Sequence, residues 1–281
     1  MSAGLNIVLD LWFVAGLGRG VAGAAEATVI AQYVSGLGIA AYTWVRFPAL
    51  VRRDPAVRLR RSRIREIAGF SALTCLQQSI MNLGILAVQG LVNSFGTTVM
   101  AAFAAAVKID AFAYLPVQDF GNAFSIFISQ NYGAGQRARI RQGIRTAAAA
   151  SVCFGLALSG LVFLFAPQLM ALFIDGAETA VIAEGVRYLR IEGAFYALIG
   201  LLFLLYGLYR ALGRPGMSVV LTVISLGLRV SLAYALAAVP GVGVVGIWWS
   251  VPVGWLLADA FGLLYYRARH KALLPPAHPH P

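Results

Sequence analysis

Apolar stretches of about 18 residues or more recur from one end of this chain to the other. Stretches of that length read as membrane-crossing helices, because ~20 helical residues span the hydrocarbon layer. They run over 21–45, 67–93, 97–130, 143–166, 184–208, 217–239 and 243–266, with a shorter first one over 5–17. Only 12% of the 281 residues are charged, against ~25% in a soluble domain. The expected fold is an all-α polytopic membrane protein with about eight transmembrane helices.

The formal net charge of +11 invites a nucleic-acid reading, but the placement of the basic residues argues against that partner. Seventeen of the 22 basic residues fall in four regions: 46–65, 137–145, 210–214 and 267–271. If every apolar stretch crosses once, these regions share one side of the bilayer. Arg-rich loops face the cytoplasm. The expectation is therefore a multi-pass protein of the plasma membrane, a bacterial inner membrane, with a cytoplasmic C-terminus. Cys75 and Cys153 lie in apolar stretches, and His270, His278 and His280 have no ligand spacing. No metal site or resident cofactor is expected, and no nucleophile–base set points to an enzyme.

A repeat is hidden in the apolar pattern. "GLNIVLDL" at Gly4 aligns with "GLRVSLAY" at Gly227, and "GVAGAA" at Gly20 with "GVVGIW" at Gly243. Both pairs share one offset of 223 residues (227 − 4 and 243 − 20). The offset carries the first two helices onto the last two, six helices on, so the copies run the same way through the membrane. That is the parallel type of transporter repeat. On this reading residues 1–45 are the last two helices of a first bundle and 46–66 an Arg-rich cytoplasmic linker. Residues 67–266 form a six-helix second bundle and 267–281 a cytoplasmic tail. The short first stretch is then a cut helix, and most of the first bundle is expected to be missing.

Ionisable groups deep in spanning helices are costly and mark functional sites. Lys108 and Asp110 lie ~16 Å or more from the outer end of their helix at 1.5 Å per residue. Two residues apart, they face different ways. Asp110, Tyr114, Gln118 and Asn122 recur at i+4 as one polar stripe, and Pro116 in the same helix should kink it. Gln78, Asn82, Gln89 and Asn93 form a second stripe on the preceding helix. Such amides line a cavity or glue helices together, and both readings stay open. Arg229 is as deep as Lys108, while Glu192 lies at the midplane or at the interface. Lys108–Glu192 and Asp110–Arg229 are alternative structural ion pairs. Asp119, Asp259 and Glu26 read as interfacial charges near helix ends. Gly133 in "SQNYGAGQ" suits the left-handed residue that ends a helix.

These residues resemble a known family. "QQSIMNLGILAVQGLVNSFG", "AAFAAAVKIDAFAYLPVQDFGNAFSIFISQNYGAGQ" and "YRALGRP" are similar to the second half of the MATE (multidrug and toxic compound extrusion) transporters. "GLNIVLDLWFVAGLGRGVAGAAEATVIAQ" is similar to that family's fifth and sixth helices. The resemblance implies two six-helix bundles around a central cavity, which export cationic or amphipathic compounds in exchange for Na⁺ or H⁺. The chain departs from it in lacking the first four helices, with the acidic residue of the first. Gln77 and Gln78, and then Ile199 and Gly200, stand where Na⁺-coupled members carry carboxylates. The expected function is therefore H⁺-coupled drug/cation antiport, with Asp110 and Lys108 as coupling candidates. The partners are the lipid bilayer, the exported compound, and a missing first bundle, second chain or homodimer partner; alone, the chain is expected to be inactive. The alternatives are a flippase for lipid-linked pyrophosphates and a non-transporting remnant or assembly subunit.

Overall fold

The computed structural model describes residues 2–48 and 61–273. It divides into two compact units, Met1–Ile64 and Arg65–Pro281. Every regular element among the described residues is helical.

The first unit is a helical hairpin. Helix α1 spans Ser2–Gly16, its last six residues wound as a π-turn, and α2 spans Gly20–Arg46. An exposed bidentate pair, Arg19 with Glu26 at 2.5 and 2.9 Å, ties the turn to α2. Helix α1 is too short to span, and α2, with its 27 residues, falls short in apolar composition. Gly20, Gly23, Gly36, Gly38, Glu26 and Gln32 dilute it.

The second unit comprises α3 (Arg61–Asn93), α4 (Thr97–Gly133), α5 (Arg137–Ala171), α6 (Thr179–Gly193), α7 (Tyr196–Ala211), α8 (Pro215–Ala237) and α9 (Val244–Leu273). Five of these are long and apolar enough to cross a membrane alone. Helices α6 and α7 pass that test only together, bent by 51° at a short break, which makes up to six spans. The unbroken helix expected over 184–208 is thus corrected. At the break the Glu192 carbonyl accepts from Phe195 N–H, three residues on, and the chain turns at Ala194 and Phe195. The linker expected over 46–66 and the tail expected over 267–281 lie partly outside the described residues. Helix α3 already starts at Arg61 and α9 runs on to Leu273, so charged residues extend both helices beyond their apolar parts; 49–60 and 274–281 lie outside the described residues.

Helix α7 lies at the centre, with eleven buried residues, and α4 packs along it. Small residues allow the close approach, as they do between helices in lipid. A Cβ on Gly207 would sit 2.6 Å from the Gly121 carbonyl oxygen, and one on Gly155 would sit 2.6 Å from Ala197 Cα. The outer faces keep large apolar side chains exposed, among them Phe112, Ile126, Leu156 and Leu164, as a lipid-facing surface requires. Helix α4 runs uninterrupted through Pro116.

Two details concern local sequence signals. Helix α4 ends in a Schellman motif: Gln136 N–H donates to Asn131 carbonyl at 2.9 Å and Gly135 N–H to Tyr132 carbonyl at 3.1 Å. The left-handed residue is Gly135, at φ 68°, not Gly133, which is still helical. The repeat is visible in both hairpins. Gly18 and Gly20 have φ of 62° and 57°; their counterparts 223 residues on, Gly241 and Gly243, have 88° and 50°. Gly23 packs on Phe13 and Arg19, and its counterpart Gly246 packs on Leu236 and Val242, which stand at the same offset.

Candidate functional site

The break between α6 and α7 organises the site. In α6, Tyr188 and Glu192 stand one turn apart on the buried face; Tyr196 opens α7 just after the break. Opposite them, α4 presents Asp110. The Tyr188 hydroxyl donates to one Asp110 oxygen at 2.7 Å, and the Tyr196 hydroxyl donates to the other. Glu192 is 6% exposed, faces the same Tyr188 hydroxyl, and its Oε2 has no partner among the described residues.

Arg229 approaches from α8, just past a π-turn at Val223–Gly227. Its charge acts on both Asp110 and Glu192, but it forms no ion pair with either, and its Nε is buried without a partner. Asp110, Tyr114, Glu192 and Arg229 line one cavity of about 200 Å³, closed laterally by Phe203, Trp255 and other apolar side chains. The π-turn matters here, because such turns re-aim the side chains that follow them. Under the cluster, Trp248 stacks on Phe103 at 5.5 Å, and both meet Tyr188 edge-on. Trp248 is held by its Nε1–H bond to Glu184 at 2.9 Å.

A second, more polar cavity of about 310 Å³ adjoins the first, with Phe203 and Tyr206 in both walls. It is lined by Gln77 and Gln78 from α3, Gln118 and Asn122 from α4, and Arg210 from α7. Arg210 donates to Asn122 Oδ1 at 3.2 Å.

The structure thus brings together Asp110, Tyr114, Glu192 and Arg229 in one cavity, and Gln78, Gln118 and Asn122 in the next. Asn82, Gln89 and Lys108 line neither and are exposed. Lys108 has no hydrogen bond or ion pair among the described residues. Neither alternative ion pair, Lys108–Glu192 or Asp110–Arg229, is formed among the described residues: Asp110 is bonded by two hydroxyl donors, and Lys108 is exposed while Glu192 is buried. Asp259 departs furthest from its sequence reading. It is 2% exposed at mid-helix in α9, with neither carboxylate oxygen partnered. Sequence reasoning also passed over Tyr188, Tyr196, Arg210 and Asp10, an acidic residue of α1 whose Oδ1 has no partner among the described residues. The Tyr188–Glu192 spacing of four, which puts both on one helix face, was a signal available for the first of these.

A helical membrane bundle whose broken helix meets buried charges at a cavity defines a class, the secondary transporters, whose sites form where a spanning helix is discontinuous. The sequence model of the MatE family matches residues 74–235, more than half of the chain. The chain belongs to that family, the MATE transporters, and is a multi-pass membrane protein. It is 30% identical over 275 residues to the probable multidrug resistance protein YpnP of Bacillus subtilis, covering 96% of this chain and 60% of that one. It is 26% identical over 267 residues to a FAD transporter of Shewanella oneidensis, covering 92% and 57%. A crystal structure of MATE in complex with MaL6 superposes with a TM-score of 0.89 at 25% identity, over 97% of this chain and 61% of that one. The chain spans 54–60% of the length of curated relatives that it matches.

Proposed function

We propose that the α3–α9 unit is one substrate-binding bundle of a multidrug exporter that exchanges a cationic or amphipathic compound for protons at Asp110. The observation that carries this reading is the Asp110 carboxylate, held between two tyrosine hydroxyls at the wall of a cavity, with Glu192 and Arg229 beside it. The aromatic and apolar walls suit an amphipathic body, and Asp110 and Glu192 suit its charge. A proton and an organic cation both neutralise the same carboxylate, so each excludes the other, and that exclusion is what antiport requires. Tyr188 and Tyr196 keep the carboxylate aimed at the cavity and donate to it while it is ionised. Hydroxyl donors stabilise an ionised carboxylate but do not ligate a metal ion as donors, which favours H⁺ over Na⁺ as the coupling ion. Alternating access needs a second bundle around the site. We read the exposed amides Asn82 and Gln89, with Lys108, as belonging to the face that meets it.

The test is ethidium binding to the purified chain by fluorescence titration. Losing a charge-assisted contact costs ~1.5–3 kcal/mol, so Asp110→Asn is expected to weaken binding about 10- to 100-fold. Unchanged affinity removes Asp110 from the substrate site. A second reading rests on the cations: Arg229 Nε has no partner and Arg210 lines the second cavity, an arrangement that suits a phosphate-bearing solute or lipid. One relative is named an FAD transporter. Saturable binding of FAD or of a polyprenyl pyrophosphate, with none of ethidium, reverses the order of the two readings.

A further inference from the structure

Asp259 belongs to neither cavity. It sits in the seam where α7, α8 and α9 pack, and its side chain is 2% exposed with no partner for either oxygen. Helix α9 continues about 21 Å beyond it on one side and about 22 Å on the other, at 1.5 Å per residue. The apolar part of α9 ends at Tyr266, about 10 Å beyond Asp259 at that rise, so Asp259 lies inside the apolar part of the helix and not among its charged residues.

The groups around it are few and known. Tyr206 of α7 faces it, and the Tyr206 hydroxyl also meets Thr222 of α8. Ser218 and Thr222 are fully buried; each spends its proton on a backbone carbonyl, Ser218 on Tyr206 at 3.0 Å and Thr222 on Ser218 at 2.9 Å. The charged groups on the helices that pack against α9 are engaged elsewhere. Arg229 acts on Asp110 and Glu192, Arg210 bonds Asn122, and Glu184 and Arg187 bond each other. No cation reaches Asp259 among the described residues. A bare carboxylate taken out of water costs several kcal/mol unless it is paired. With no hydroxyl bonded to it and no cation beside it among the described residues, the simplest neutralising partner is a proton.

We propose that Asp259 is a second proton-carrying site of the bundle, reached from both cavities through the Tyr206 hydroxyl. Among the described residues Tyr206 feels the Asp259 charge, and it forms part of the wall of both cavities. The transfer balances without a further reactant. Neither Asp259 oxygen is bonded to the Tyr206 hydroxyl at rest, so transfer requires the two to come within bonding distance; the carboxyl O–H bond then breaks as its proton passes to the Tyr206 oxygen, and the tyrosine releases its own proton to water in the cavity; the reverse reloads it. Asp110 exchanges its proton at the cavity wall, whereas Asp259 exchanges one behind it, so a bundle filled by substrate and water has two separate proton stores. The role in export rests on the cation-export reading above; the site itself does not.

Infrared difference spectroscopy of the purified chain in lipid nanodiscs tests both parts. At neutral pH exposed aspartates are ionised. Wild type is expected to show a protonated-carboxyl band that disappears in Asp259→Asn and moves, rather than disappears, in Asp259→Glu. In Tyr206→Phe the band stays, but its exchange in D₂O slows at least tenfold. The band is expected to be the same in NaCl and KCl. No band at neutral pH, or a carboxyl spectrum that Asp259→Asn leaves unchanged, overturns the site; loss of the Asp259 component in NaCl alone overturns the proton in favour of a sodium ion. Ethidium is then added. A band that changes as ethidium binds supports a part in export, and a band that ignores bound ethidium overturns it. If ethidium does not bind, the cation-export reading fails and the titration in Tyr206→Phe still decides the site.

Discussion

Asp110 shows how much one polar position can say and where it stops. Its depth and its place on an i+4 stripe were legible in the chain, because both follow from helix periodicity and length alone. Its partners were not. Tyr188 and Tyr196 lie 78 and 86 residues further on, in a helix whose break carries no proline to announce it. The two hydroxyls act on one carboxylate, so their effects are coupled. Tyr196→Phe is expected to lower thermal stability in detergent by ~1–3 kcal/mol, the cost of a lost buried hydrogen bond. Tyr196→Phe combined with Asp110→Asn is expected to cost clearly less than the sum of the two, because they remove the same contact. Additive losses would mean that the hydroxyl stabilises something other than Asp110. Asp259 teaches the opposite lesson. Its nearness to Arg267 and Arg269 made it look interfacial, but Asp259 is buried in the seam where α9 packs on α7 and α8, which no local pattern announces.

At the scale of helices, glycines decide how close the backbones come and where helices end. Gly207→Ala puts a methyl 2.6 Å from the Gly121 carbonyl, with backbone on both sides and nowhere to yield. It is expected to cost ~1–3 kcal/mol in unfolding measurements, the usual penalty of overpacking. At the end of α4 two neighbouring glycines separate cleanly. Gly135→Ala forces a side chain into a left-handed residue, φ 68°, at ~1–2 kcal/mol. Gly133→Ala, in a helical residue with open space around it, is expected to be neutral or slightly stabilising. Equal effects at the two positions would contradict the Schellman ending. The motif was recognisable in "NYGAGQ", but not which glycine takes the turn, since both spacings fit a helix end and only the hydrogen-bond register chooses.

At the scale of the molecule, apolar stretches identified the class and the 223-residue echo identified the repeat, because both are periodic signals that need no tertiary information. The bend between α6 and α7 and the meeting of six helices at the cavity are tertiary, and no local pattern carried them. The charge distribution makes a topological prediction. The Arg137–Arg145 region is expected at the cytoplasmic face, so Ala138→Cys in intact cells should resist membrane-impermeant maleimide until the membrane is opened. Labelling from outside would invert the topology. The central claim, that a proton and a cationic solute exclude one another at Asp110, is most directly tested by proton release. Ethidium is added to the purified chain in weakly buffered solution and the released protons are counted against bound dye. The groups that face Asp110 are Tyr188, Tyr196, Glu192 and Arg229, and all stay in place in the Asp110→Asn variant. The account predicts proton release on binding in wild type and a clear loss of release in Asp110→Asn at saturating dye. Equal release from both proteins, or dye binding with no protons released, would contradict it.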